Sequence, residues 1–371
     1  FHSYAAELLQ QHGSLINFRP DFQILSNDTD REALLDDVLG QLRKDSSLSL
    51  PEHFKATQLL PAITRLLDQC ITSEEALSVL QCTNIENASL LAKVYIAYKE
   101  ALRRTNALDF PSLIKESLEL LDKHPFLVEH LRKVYKHILI DEFQDTNFPQ
   151  YRIMSLIAAP DPSTLFVVGD DDQIIYQWNG ASPKRIQSLR DDFGVHELQL
   201  PENYRCPPLV IQLANALIEN NLDRSAGKKP LTAVKQGNGG EAVRVFGFSN
   251  IDEEVEWVAN DIVQRGSPFH SACAVIARTK KLIELAGHKL ERMGIPVYFA
   301  VRKDEFSSAP LRMLHAVLRL VNSKEDRQSL ARLSKSFYEL EGINIELAPV
   351  LARSSADGRD LLHSWLEEVK K

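Results

Sequence analysis

Two acidic residues, Asp141 and Glu142, directly follow a short apolar run, Ile138–Ile140. In open parallel sheets ligands bind outside the carboxyl ends of the strands, so these acids lie where a ligand would bind. A carboxylate there can hold Mg²⁺, usually through water, while its neighbour orients or deprotonates an attacking water. An isolated Asp-Glu pair is more often part of a solvated loop. The longer run at 141–147, DEFQDTN, favours the chemical interpretation.

A second polar run, GDDDQIIYQWNGA at 169–181, follows another apolar stretch. Gln173 can sense a terminal phosphate by hydrogen bonding. Tyr176 and Trp178 are two residues apart and share one face of an extended segment. Paired aromatic rings on a loop can stack on bases, each worth about 1–3 kcal/mol. The alternative, that both rings belong to a core, is weakened by their Asp, Gln, Asn and Gly neighbours.

A third run, LPENYRCP at 200–207, contains Tyr204 and Arg205. An arginine on a connection between two sheets can reach across a cleft to a nucleotide phosphate. The neighbouring tyrosine can lie flat on a purine ring. A lone Tyr-Arg pair would be read as surface residues, so this assignment depends on the other two runs.

The elements that position these residues are indicated by their hydrophobic patterns. Apolar runs that alternate with helices predict a parallel sheet with helices on both faces. The predicted strands lie at 137–141, 164–170, 196–200, 241–248, 272–277 and 295–300. The predicted helices lie at 32–42, 90–102, 127–136, 252–264 and 280–293, with further helix from about residue 322. The Gly- and Pro-containing segment 222–240 is predicted to be a loop.

Composition limits the classes of protein without selecting one. A length of 371 residues predicts more than one domain. The net charge of −8 argues against a protein that coats nucleic acid through its overall field, but it is compatible with a narrow DNA groove. No apolar run approaches the roughly 20 residues of a membrane-spanning helix. The four cysteines form no CxxC pair and are expected to be reduced and mostly buried thiols.

The three polar runs, in this order and spacing, closely resemble motifs II, III and IV of the UvrD/Rep/PcrA family of superfamily-one DNA helicases. Shorter segments extend the resemblance. Residues 1–3, FHS, resemble the end of the TFHS segment, and residues 108–114, LDFPSLI, resemble the LDFxDLL segment. Residues 274–279, AVIART, resemble a strand-and-arginine element of the second motor domain. The likeness therefore extends over nearly the whole chain.

The resemblance implies a role for each candidate residue. It implies that Asp141 binds the Mg²⁺ of Mg-ATP, that Glu142 is the catalytic base, and that Tyr204 stacks on adenine. Gln173 and Arg205 would contact the γ-phosphate. The residues implied to bind DNA are His2, Tyr176 and Trp178.

The resemblance also implies an α/β architecture of RecA-like motor domains, of the P-loop NTPase class, with an inserted all-helical accessory domain. The expected parts are a helical accessory domain at 1–105, whose residues 1–3 end a preceding motor segment, and the first motor domain at 106–200. The second motor domain would occupy 201–322, and a second helical accessory domain would begin at 323–371. The expected partners are single-stranded DNA and duplex junctions, with unidentified repair or replication proteins, in the cytoplasm or on a bacterial nucleoid.

Three departures from the family pattern affect these expectations. No GxxxxGK[ST] run is present, and residues 227–230, GKKP, read only as a loop without a Ser or Thr for Mg²⁺. In the family that phosphate-binding loop precedes the TFHS segment, so a truncated core that is inactive alone is expected. Asn179 stands where an arginine is usual, and Pro111 replaces an acid.

The leading hypothesis is an ATP-dependent DNA helicase that moves 3′ to 5′. A non-catalytic DNA-binding or scaffold protein on the same fold remains open, as does a helicase subunit of a RecB-like helicase–nuclease complex. A metal-dependent nuclease using Asp141, Glu142 and Asp170 is the weakest alternative, because it leaves Tyr176, Trp178 and Arg205 without a role.

Overall fold

The computed structural model describes residues 1–44, 50, 51, 54–83, 87–158, 165–175, 180–221, 224, 225, 227–235, 243–300, 308–322, 324 and 326–371, apart from the side chains of residues 268 and 328. The chain forms two compact units, Phe1–Glu241 and Ala242–Lys371. Both units are mainly helical, and the described strands form three short parallel pairs. The predicted domain boundaries stay a prediction.

The elements of the first unit follow one another along the chain with short connections. They are α1 (His2–His12), β1 (Gln23–Leu25), α2 (Asp28–Lys44), α3 (Ala56–Asp68), α4 (Ala76–Cys82), α5 (Ala88–Thr105), β2 (Ala107–Asp109), α6 (Phe110–Lys123), α7 (Pro125–Val134), β3 (Ile138–Ile140), α8 (Phe148–Ala158), β4 (Leu165–Val167), α9 (Lys184–Phe193), β5 (Glu202–Asn203), α10 (Pro208–Ile218) and β6 (Thr232–Ala233). The predicted helices at 32–42 and 90–102 lie within α2 and α5.

Helices α2–α5 share one apolar core and connect two neighbouring parallel strands, β1 and β2. Helix α3 shows why this group folds: its apolar residues recur at helical spacing and bury one face. The largest fully buried side chains of this core include Tyr95, Tyr98, Leu67 and Leu102. Helix α1 belongs to a different core, where Ala5, Leu8 and Leu9 pack with residues of α6, α7 and α8.

Helix α6 begins with a side-chain cap. The Asp109 carboxylate accepts a hydrogen bond from the Ser112 backbone N–H at 2.9 Å. Pro111 lies in the first turn of this helix, where a backbone N–H has no intrahelical partner. The proline that departs from the family pattern is therefore compatible with the start of α6.

Strands β3 and β4 pair in parallel, with Ile140 opposite Val167. One face of the pair packs on Tyr151, Met154 and Leu189 of the neighbouring helices. The opposite face is exposed within the described residues, where Leu139 and Phe166 keep 73% and 61% of their surface. Among the described residues helices cover one face of this pair, and the expectation of helices on both faces stays a prediction.

Several predicted strands are not formed. The described parts of 196–200, 241–248, 272–277 and 295–300 contain no strand, whereas β5 and β6 pair at sites that were not predicted. The alternating pattern has another cause in the second unit. Val275 and Val297 pack against helices, while the residues that follow them, Ile276 and Tyr298, are 91% and 92% exposed. Alternation along the sequence therefore indicates an extended segment that buries one face. Such a segment becomes a strand only when it also has a hydrogen-bonded neighbour.

The second unit contains α11 (Ile251–Arg265), α12 (Ser267–His270), α13 (Lys280–Arg292), α14 (Ala309–Asn322), α15 (Arg327–Glu341), α16 (Leu347–Asp357) and α17 (Leu361–Val369). The predicted helices at 252–264 and 280–293 coincide with α11 and α13 to within a residue. Helices α14–α17 enclose Trp365, whose indole N–H donates to Ser334 Oγ at 2.8 Å. No helix among the described residues is both long and apolar enough to cross a membrane. All four cysteines are free, but none is buried: Cys82 is exposed and the other three are partly exposed, so the expectation of mostly buried thiols is wrong.

Candidate nucleotide and DNA site

Asp141 and Glu142 lie directly after β3, as predicted. Glu142 has a φ of 50°, in the left-handed region that non-glycine residues rarely occupy. Its backbone N–H donates to Asp141 Oδ1 at 2.9 Å. Backbone strain of this kind persists only where the surroundings hold it. The turn therefore presents two adjacent carboxylates at the end of the strand.

Gln144 holds the Glu142 carboxylate in place. Its side chain is buried, with 2% of its surface exposed. Its Nε2 donates to Glu142 Oε2 at 2.7 Å, and its Oε1 accepts from the Asp170 backbone N–H at 3.0 Å. One amide thus connects the turn after β3 to the turn after β4. The sequence gives no signal for this role beyond the position of Gln144 within the DEFQDTN run.

Gly169 allows this close approach of the two turns. A Cβ at this position would lie 3.1 Å from Gln144 Oε1 and 3.3 Å from the Phe143 Cβ. The strand pairing also continues past the strand ends, because Val168 N–H donates to Ile140 O and Phe143 N–H donates to Val168 O. The absence of a side chain at residue 169 therefore brings the two polar turns into contact.

Gln173 lies in the turn after β4 and belongs to the same hydrogen-bond network. Its Nε2 donates to Asp170 Oδ2 at 2.7 Å, and Asp170 Oδ1 accepts from the Asp172 backbone N–H at 3.1 Å. The network runs from Glu142 through Gln144 and Asp170 to Gln173. The structure therefore brings together three of the predicted site residues: Asp141, Glu142 and Gln173.

Three consecutive carboxylates, Asp170, Asp171 and Asp172, have oxygen atoms within 4.8 Å of one another. Lys228 contacts all three, and Arg224 contacts Asp172. Burial would raise the pKa of Asp171, but hydrogen bonds from Lys228 and from Ser225 outweigh it and lower that pKa to about 2. All three acidic residues of this turn are therefore paired with cations.

Tyr204 and Arg205 follow β5, and both side chains are exposed. The Tyr204 hydroxyl donates to Glu202 Oε2. The Asn203 side chain accepts from the backbone N–H groups of Arg205 and Cys206, which fixes the turn. Within the described residues, neither Tyr204 nor Arg205 joins the network around Asp170. Their predicted contacts with a nucleotide stay predictions.

His2, at the start of α1, contacts the ring of Phe110 edge to face, with the ring centroids 5.0 Å apart. Phe110 keeps 40% of its surface exposed although it is aromatic. The sequence places Phe110 only within the LDFxDLL-like segment, so its position beside His2 was not expected. Tyr176 and Trp178 lie outside the described residues, as does Asn179.

The carboxylate oxygens of Asp141 are of the type that Mg²⁺ prefers. One of them accepts the Glu142 N–H, and the side chain is exposed at the strand end, so it fits a magnesium ligand that acts directly or through water. The acidic triplet of residues 170–172 is a poorer candidate because Lys228 and Arg224 bind it.

Comparison with known families identifies the class. A family described as the UvrD/REP helicase N-terminal domain matches residues 1–194, and the UvrD-like helicase C-terminal domain matches residues 198–353. These domains have the α/β fold of the P-loop NTPases, to which the parallel strand pairs conform. The chain belongs to the UvrD-like helicase family.

Individual relatives agree with this assignment. The chain is similar to DNA helicase II of Escherichia coli, with 31% identity over 96% of this chain, and to DNA helicase II of Haemophilus influenzae, with 30% identity over 90%. It is also similar to the ATP-dependent DNA helicase PcrA of Staphylococcus epidermidis, with 28% identity over 90%. The aligned part is 44–48% of each relative, so the chain spans less than half of their length.

Proposed function

We propose that this chain contains catalytic and DNA-contacting parts of an ATP-dependent helicase that moves 3′ to 5′ on single-stranded DNA. The observation that carries the proposal is the Gln144 bridge, which joins the carboxylate pair after β3 to the Gln173 turn after β4. Hydrolysis of a nucleotide requires both a group that activates water and a group that detects the terminal phosphate. Here the two are connected by one buried side chain.

The two carboxylates, Asp141 and Glu142, have different roles in the proposed chemistry. Asp141 would hold Mg²⁺, whose positive charge offsets the negative charge of the phosphates. Glu142 would accept a proton from the attacking water. Its Oε2 is engaged by Gln144, which fixes the orientation of the carboxylate and leaves Oε1 for the water.

Gln173 and Arg205 would contact the γ-phosphate, and Tyr204 would stack on adenine. The exposed Tyr204 ring and the exposed Arg205 side chain are compatible with these roles, since neither is committed to a core. Gln173 donates to Asp170 in this structure, and a phosphate oxygen would compete for the same donor.

The proposed DNA contacts are His2, Tyr176 and Trp178, with Phe110 as an addition from the structure. His2 and Phe110 present adjacent, partly exposed rings near the start of α1 and α6. Aromatic rings stack on bases without regard to sequence, which suits a protein that moves along DNA.

The full-length gene product provides the test. It should hydrolyse ATP faster when single-stranded DNA is added, and it should unwind a duplex with a 3′ tail in preference to one with a 5′ tail. Glu142→Gln keeps the shape of the side chain and removes the proton acceptor, so kcat should fall by about 10²–10⁴-fold. Asp141→Ala should raise the Mg²⁺ concentration needed for half-maximal rate.

Glu129→Gln is the matched control, since Glu129 is an exposed residue of α7 outside the site. A near-normal rate for Glu142→Gln would show that Glu142 is not the base. DNA binding without any hydrolysis would instead indicate the scaffold alternative.

A further inference from the structure

The loop that contains Gly227 and Lys228 follows α10 and has no role in the mechanism described above. Its GKKP run is not a phosphate-binding loop. In the structure this segment reaches the turn after β4, where Arg224 and Lys228 meet the three carboxylates at 170–172.

The Lys228 ammonium contacts every carboxylate of this acidic triplet. Its Nζ is paired with Asp170 and Asp171, and lies 2.9 Å from Asp172 Oδ2. Arg224 Nε lies 3.1 Å from each Asp172 oxygen. The Ser225 backbone N–H donates to Asp171 Oδ2 at 2.8 Å. The Lys228 ammonium, the Arg224 guanidinium and the Ser225 backbone N–H are therefore all directed at the same three side chains.

Three carboxylates this close repel one another strongly unless cations lie between them. Asp171 is only 8% exposed, so water screens the repulsion poorly. Lys228 and Arg224 supply two positive charges against three negative ones. Without Lys228 the triplet would either spread apart or take up another cation.

We propose that Lys228 is a positioning residue for Gln173. Its ammonium is the resident cation of the acidic triplet, and it holds the turn Asp171–Gln173 in the conformation in which Asp170 orients the Gln173 amide. Lys228 thereby also keeps divalent cations out of the triplet. Only the part that concerns ATP depends on the proposed function.

Binding of Mn²⁺ to the 371-residue chain, followed by calorimetry, tests the occupancy of the triplet. Lys228→Ala leaves three carboxylates with one cation, so the variant should gain one Mn²⁺ site with at least tenfold higher affinity than any wild-type binding at this turn. The double variant Lys228→Ala, Asp171→Asn should lose the new site. Lys228→Arg should behave as wild type.

Lys229→Ala is the control, because it removes the same charge from the adjacent residue, whose side chain is exposed. Circular dichroism of each variant checks folding. If folded Lys228→Ala gains no Mn²⁺ site, the role of Lys228 as resident cation is wrong.

A kinetic measurement on the full-length gene product tests the effect on Gln173. Lys228→Ala should raise the KM for ATP or lower kcat by about tenfold, and Lys228→Arg should restore both. An unchanged rate in a variant that gains the Mn²⁺ site would overturn the positioning role. If the wild type hydrolyses no ATP, the proposed function fails, while the Mn²⁺ titration still decides whether Lys228 occupies the triplet.

Discussion

The buried amide of Gln144 makes two hydrogen bonds that serve different parts of the site. It donates to the Glu142 carboxylate and accepts from the backbone of Asp170. A hydrogen bond to a charged group is typically worth about 1.5–3 kcal/mol, and an unsatisfied buried donor costs about 1–3 kcal/mol. Loss of this side chain should therefore affect both stability and chemistry.

Gln144→Met has nearly the same length and makes neither hydrogen bond. The free energy of unfolding should fall by about 1–3 kcal/mol, because the Asp170 N–H loses its partner. In the full-length gene product kcat should fall about tenfold or more, with a smaller change in the KM for ATP, since the Glu142 carboxylate loses its orientation. Urea denaturation and steady-state ATPase assays measure the two effects.

Gln187→Met is the matched control, because Gln187 is an exposed residue of α9. Wild-type kcat in a folded Gln144→Met variant would show that Glu142 needs no support from this amide.

Asp68, at the end of α3, is a buried carboxyl that accepts a weak hydrogen bond from the Asn147 amide at 3.4 Å. Burial, and then the charge of Asp109, raises the pKa of Asp68 to about 6 from its usual 3.8. A carboxyl whose pKa is raised by folding stabilises the folded state fully below pH 3.8. That contribution is lost as the pH rises through about 6.

Asp68→Asn should therefore stabilise the protein more at pH 7.5 than at pH 4.5. A shift of about two pKa units corresponds to a difference of at most ~3 kcal/mol. Urea midpoints of the variant and wild type at both pH values measure it, with the exposed Asp36→Asn as control. The same difference at both pH values would contradict the raised pKa.

Helices α2, α3 and α5 are joined to β2 by one polar cluster around Arg31. Its Nε donates to the fully buried Asp109 carboxylate at 3.1 Å, and its guanidinium also donates to Thr64 Oγ1. Tyr98 donates to the same carboxylate at 2.9 Å. Because Asp109 also caps α6, the cluster sets how the helical group meets the strand that leads into α6.

Arg31→Met should destabilise the chain by about 3–5 kcal/mol, because it leaves the Asp109 charge buried without its main partner. Arg19→Met is the comparison, since the Arg19–Asp21 pair is exposed and such pairs contribute about 0–1 kcal/mol. Thermal or urea unfolding of both variants gives the two values. Equal losses of stability in the two variants would show that the buried cluster contributes no more than the exposed ion pair.

Helices were predictable because their apolar residues repeat with the period that buries one face, as in α5 and α11. Strands were less predictable, because a sequence shows alternation but not the neighbour that completes the hydrogen bonds; Val275 and Val297 illustrate this. The sequence alone was enough to select Asp141, Glu142 and Gln173 as candidate site residues, because of the chemical types of their side chains.

The supporting contacts could not be found in the same way. Lys228 is 57 and 58 residues from Asp171 and Asp170 along the chain, and α9, β5 and α10 lie between the acidic triplet and Lys228. Only the fold brings such distant residues together. Gln144 lies near Glu142 in sequence, but its second partner, the Asp170 backbone, is supplied by the parallel pairing of β3 and β4.

The whole chain carries a net charge of −8, so its overall field repels DNA. The proposed binding to single strands would then depend on local contacts such as stacking. Trp178→Ala should weaken binding of a fluorescent dT₂₀ strand by the full-length gene product by about 1–3 kcal/mol, and Tyr176→Ala should have a similar effect. Fluorescence anisotropy measures the affinity.

Thermal melting of the same variants separates stacking from a structural role. A buried tryptophan cut to alanine would cost about 3–5 kcal/mol of stability, whereas an exposed one would cost little. A large drop in melting temperature with unchanged DNA affinity would show that Trp178 belongs to a core.

The close packing around Gly169 predicts the effect of mutations in its codon. Every missense change at its codon adds a Cβ that must push aside the Gln144 amide or the Phe143 side chain, which lie 3.1 and 3.3 Å from its position. The mutant protein would retain each proposed catalytic side chain, but these side chains would lose their alignment. In a random-mutagenesis screen for loss of activity, codon 169 should therefore yield inactive alleles about as often as codon 142, although glycine takes no part in the reaction.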